Sequence, residues 1–159
     1  YIRTGLDYGA FLKNFEAGLA IQQHRRQMRL DFTLTLPGMF EVGNIQQLAQ
    51  QYGVELLAKV VFSFTPDIVM SPLCLPRHLL HPWLDELIVE STGAMRDVLM
   101  QLKNRPTFDE QWPDEYKQGL ARGKARLLKL ESIRTQPITI NEILAQRPAV
   151  LEWWNQIET

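Results

Sequence analysis

Two runs of alternating side chains, separated by one short helical stretch, constrain this chain more than any other feature. Leu30, Phe32, Leu34 and Leu36 alternate with Asp31, Thr33 and Thr35, which predicts a strand with one apolar and one mildly polar face. Val54, Leu56, Ala58, Val60, Phe62 and Phe64 repeat the pattern against Glu55, Leu57, Lys59, Val61 and Ser63. Between the runs, Pro37-Gly38 ends the first strand, Asn44 can cap the helix IQQLAQQY, and Gly53 suits its left-handed end. Upstream, Asp7 is a candidate N-cap for a helix whose Phe11, Phe15 and Leu19 share one stripe. Helix, strand, helix and strand joined this closely predict βα units with parallel strands and right-handed crossovers.

The chain changes character in residues 60–76, VVFSFTPDIVMSPLCLP, where a buried strand gives way to a turn and then to a helix start at Pro76. Everything beyond reads as helical. A turn or two covers 76–81, Pro82 restarts a helix to about Glu90, and Ser91 caps another to about Lys103. Residues 104–112 read as a mobile connection. A longer helix follows from Pro113 and carries Gly119 and Gly123, each costing ~1 kcal/mol against Ala unless close packing offsets it. Residues 135–139 read as extended, and PAVLEWWNQI as a closing helix.

Two strands do not make a stable parallel sheet with both faces covered, so the expected fold is α/β and incomplete. We read it as a (β/α) barrel fragment of two to three parallel strands followed by a mainly helical C-terminal half. The start at Tyr1, without a methionine, fits the same expectation of a fragment.

Bulk properties narrow the function by exclusion. Seventeen basic and 18 acidic side chains leave a net charge of −1, which gives no broad field to attract nucleic acid or an anionic membrane. No apolar run approaches the ~20 residues of a membrane-spanning helix. The single cysteine, Cys74, forbids an internal disulfide and fits a reducing, cytoplasmic setting. Gly-rich phosphate loops, nucleophile elbows, HExxH and CxxC pairs do not occur.

The remaining constellations are ordinary. His78 and His81 with Asp85 have metal-compatible spacing, but solvated helix residues explain them as well. Asp85, Glu86 and Glu90 suit either acid–base work or a charged outer helix face. Lys117, Arg122, Lys124, Arg126, Lys129 and Arg134 fall on several faces, which disfavours a nucleic-acid groove. Trp153 and Trp154 read as docking the C-terminus onto the core, and Cys74 as a small buried apolar group. Arg3, in the loop YIRTG, is open to two readings: a bidentate carboxylate clamp, or a surface arginine.

The segment YIRTGLDYGAFLKNFEAGL resembles the stretch after the fourth barrel strand of radical S-adenosylmethionine enzymes, specifically those of the twitch-domain type. LDFTLTL, the run from Pro66 through SPLCLP, and LESIRTQPITINEILAQRPAVLEWW follow in the order that group shows. The resemblance implies that residues 1–76 are the last strands and helices of a partial (β/α)6 barrel, with residues 77–159 a helical extension. Strands 30–36 and 54–63 would then be the fifth and sixth. It implies S-adenosylmethionine and a 4Fe–4S cluster as cofactors of the whole protein, and the N-terminal half of the barrel as this chain's partner. Arg3 would meet the methionine carboxylate, and Thr35 and Phe64 would border the nucleoside. The family's CxxxCxxC is absent, and Gly38 stands where twitch-type relatives usually carry Asn. Three thiolates are needed to hold the cluster, so this chain cannot assemble it alone. The expected function is therefore one wall of an S-adenosylmethionine and substrate site. The alternatives are a non-catalytic α/β interaction module, and a small hydrolase using Asp85 or Glu86.

Overall fold

Asp7 starts the first helix as expected. In the computed structural model its Oδ1 accepts a 3.0 Å hydrogen bond from the Ala10 amide, at the N-terminus of α1 (Tyr8–Ile21). The structure describes residues 7–24, 27–61, 63–134 and 138–159. Strand β1 (Arg29–Leu34) follows, then a 3-10 turn over Pro37–Glu41, helix α2 (Val42–Tyr52) and strand β2 (Glu55–Val60). Gly53 ends α2 at φ +62°, the left-handed region that favours glycine. The two strands pair in parallel, from Arg29 opposite Glu55 to Leu34 opposite Val60. Among the described residues the sheet has only these two strands.

Both strands end earlier than their alternation predicts. Thr35 turns into the 3-10 segment, where Gly38 N donates to its Oγ1 at 3.0 Å, and β2 pairs only as far as β1 offers a partner. The faces are as expected. Leu30 and Leu34 of β1 and Ala58 of β2 are buried, with Phe32, Leu56 and Val60 packed beside them. Arg29, Asp31, Thr33, Glu55, Leu57 and Lys59, on the opposite face, are all exposed.

The second half is helical: α3 (Arg77–Glu90), α4 (Gly93–Lys103), α5 (Phe108–Gln111), α6 (Tyr116–Ser132), α7 (Ile140–Leu144) and α8 (Pro148–Gln156). Three expectations are corrected here. Pro82 lies inside the continuous α3 rather than restarting it, because Leu80, Trp83 and Leu84 on either side are buried and hold one helix. Residues 104–112 are not an open connection. They contain α5, whose Glu110 side chain caps the Thr107 amide at 3.0 Å and whose Phe108 is buried. Ser91 ends α3, and Thr92 occupies the N-cap position of α4. One apolar cluster joins Leu34, Leu36 and Ala58 to Leu84, Leu99 and Leu102, so the described residues on the two sides of position 76 share a core. Phe15, Leu30 and Ala49 form a smaller one under α1.

Candidate functional site

In parallel α/β sheets the carboxyl ends of the strands are where sites collect. Here that rim is made of Thr35 and the loop after β2, and the chain ties both down. Val61 N donates to Leu34 O at 3.1 Å, and Leu36 N donates to Met70 O at 2.7 Å. Ser71 Oγ donates to Val61 O at 3.2 Å and itself caps Leu73 N at 3.3 Å. Within the loop, Thr65 N donates to Ser63 Oγ at 3.1 Å, Ser63 Oγ donates to Thr65 O, and Thr65 Oγ1 donates to Asp67 Oδ1.

Helix α6 presses on this loop from outside. A β-carbon added at Gly119 would lie 2.6 Å from Pro66 Cγ and 2.9 Å from its carbonyl carbon. One added at Gly123 would lie 2.6 Å from Val69 Cγ1, with the Asp67 carbonyl oxygen closer still. Only glycine fits this closely against backbone. Arg126 adds a 3.5 Å ion pair to Asp67.

The two described rim residues differ sharply. Thr35 is 5 % exposed and its hydroxyl accepts from Gly38 N, which leaves the O–H hydrogen free to donate. A side chain larger than hydrogen does not fit at position 38 in this turn. A β-carbon there would come 2.9 Å from Thr35 Oγ1 and 3.3 Å from Phe32 Cζ. Phe64 is 93 % exposed, with its ring on the surface of a tied loop. Arg3 lies outside the described residues.

Below the rim runs the uncovered sheet face. Lys59 Nζ reaches Asp31 at 3.0 Å across the strands, both side chains about half exposed. An exposed pair of this kind contributes ~0–1 kcal/mol, so it fixes the character of the face more than its stability. Five of the six side chains on it are polar or charged, Leu57 being the exception.

The other candidates are absorbed by structure. His81 Nε2 meets Arg77 Nη1 at 2.9 Å, Asp85 pairs with Lys103, and no group of three metal-ligating side chains gathers among the described residues. Both oxygens of Glu86 accept from Arg147, at 2.7 and 2.8 Å, and that hydrogen-bonded pairing holds its carboxyl below the usual carboxylate range. A carboxylate so held does not serve as a general acid near neutrality. Burial pushes the Cys74 thiol well up, and its Sγ donates to Val69 O at 3.4 Å. It is a core group and no nucleophile.

Trp154 is buried and docks the C-terminus, as expected. Lys124 turns inward to donate to the Trp154 and Ile157 carbonyls at 2.9 and 2.7 Å, closing α8. An open groove of mixed character, involving Asn44, Glu55, Leu56, Glu90, Thr92 and Met95, lies at the opposite, N-terminal end of β2. The Gln46 amide beside it is already committed to Val42 O, Ser91 Oγ and Thr92 N. Comparison with protein-family models, with curated proteins and with solved structures found no match to this chain.

Proposed function

We propose that this chain supplies part of the wall of a partial (β/α) barrel of the radical S-adenosylmethionine type, with Thr35 and Phe64 on its cofactor-side rim. The observation that carries the reading is the parallel β1–β2 pair with helices packed on one face and the other face bare and polar. A second covering layer would require an apolar surface. The Lys59–Asp31 pair and Arg29, Thr33 and Glu55 instead suit the wetted inner wall of a barrel.

The residues of this chain do not fit the iron–sulfur cluster: three thiolates are required, and the single cysteine is buried with its proton held. The cluster, and the chemistry it supplies, would belong to polypeptide outside these residues. The role left to the chain is recognition, with Arg3 as the carboxylate clamp and Phe64 as an apolar face for the adenine ring.

Translation of the DNA upstream of Tyr1 tests this directly. An in-frame CxxxCxxC within ~100–150 residues, about one domain length, is the expected result; a reading frame without it overturns the proposal. In the protein carrying that motif, Arg3→Ala weakens S-adenosylmethionine binding in calorimetric titration, and an unchanged affinity refutes the clamp.

A further inference from the structure

The junction of α3 and α5 carries an arrangement independent of the barrel reading. Arg77 opens α3, and its Nε and Nη2 donate to the two oxygens of Glu110 in α5, the second at 2.6 Å. Its Nη1 sits 2.9 Å from Nε2 of His81, one turn along the same helix. A guanidinium has donors and no acceptor, so His81 Nε2 must present a lone pair. The ring is therefore neutral, with its proton on Nδ1. Glu110 also accepts from the Thr107 amide, the contact that starts α5. A helix of four residues does not hold its own shape, so α5 depends on such ties and on its buried Phe108.

We propose that Arg77 and His81 form an acid-released latch, in which the neutral imidazole steadies the guanidinium fork on Glu110 and the protonated ring displaces it, loosening α5 from the start of α3. Protonation removes the acceptor and sets two cations in contact. The charged groups facing the imidazole are Arg77 and Asp85 of α3, Lys103 of α4 and Glu110 of α5. Asp85 is engaged by Lys103 and Glu110 by Arg77, so neither carboxylate is free to receive the new charge. Burial first, then Arg77 and Lys103, lower the His81 pKa below its ordinary 6.5. The unfolded chain thus binds the proton more readily, and the contribution is complete above about 6.5 and lost as pH falls through the lower folded value. Glu110, held down at about 2 mainly by Arg77, stays ionised throughout that window, so the change belongs to His81.

Hydrogen exchange of the intact chain, corrected for intrinsic rates and followed from about pH 7 to 4.5, across the range where imidazoles titrate, reads the latch. Amides 110–112, which donate to Thr107 O and Phe108 O, are expected to lose about three- to fivefold in protection on acidification, the scale of a partly exposed charged contact. His81→Gln keeps an acceptor that cannot protonate, and removes the loss. Arg77→Met lowers protection at both ends of the range. An equal loss in His81→Gln, or a His81 resonance titrating at or above about 6.5, overturns the proposal.

Discussion

Gly123→Ala puts a methyl group where α6 meets the loop after β2. On an open helix face this change gains roughly 0.4–1 kcal/mol, because alanine restricts the unfolded chain and favours helix. At position 123 the new β-carbon meets the Asp67 carbonyl oxygen, with Val69 Cγ1 at 2.6 Å and the Asp67 carbonyl carbon at 3.1 Å. Two of these three atoms are backbone and cannot rotate aside. The loop must move, and overpacking of this kind costs ~1–3 kcal/mol. Subtracting the helix gain leaves a net loss of up to about 2.6 kcal/mol, centred on ~1.3 kcal/mol. Gly43, inside α2, is the internal control: nothing lies within 4 Å of its added β-carbon, so Gly43→Ala is expected to stabilise by up to ~1 kcal/mol. Urea denaturation of both variants, followed by circular dichroism, compares one chemical change in two surroundings. If Gly123→Ala is as stable as Gly43→Ala, the packing of α6 on residues 66–69 is wrong.

Two further outcomes follow from single contacts. Tyr116 Oη donates at 2.8 Å to the carbonyl of the buried Cys74, so Tyr116→Phe leaves that oxygen unpaired; the cost is ~1–3 kcal/mol, read as a melting temperature lower by ~2–4 °C per kcal/mol. Glu110 has a folded pKa of about 2 against an ordinary 4.5, chiefly because Arg77 donates to it. Its contribution is therefore complete above about pH 4.5 and is lost as pH falls toward 2. Acid titration of Glu110→Gln beside the parent is expected to show a stability difference that narrows over that range, and a constant difference refutes the assignment.

What the sequence revealed depended on how local each determinant is. The start of α1 was legible because Asp7 caps Ala10 three residues away, and Gly53 because its left-handed φ is its own property. The strand faces were legible because alternation is a period of two. The strand ends were not, since the length of β2 is set by β1 and that of β1 by the Thr35–Gly38 turn. Pro82 misled because packing of Leu80, Trp83 and Leu84 overrides a local breaker. The sequence does carry a local signal for α5, since T-F-D-E has the spacing of a capping box. The rim was only half legible. Thr35 directly follows β1 and is buried in the turn that Gly38 closes, while Phe64 lies four residues beyond β2 and is exposed, a difference that alternation alone does not encode. The Arg77–Glu110 pair, 33 residues apart, had no local signature at all.

The apolar cluster shared by the strands and by α3 and α4 leaves no place to cut this chain into two working pieces. Cleavage in the segment leading into α3 would strip Leu34 and Ala58 of the partners Leu84, Leu99 and Leu102, and neither product would keep its shape. The strand pair and its helical neighbours are therefore expected to unfold as one cooperative unit.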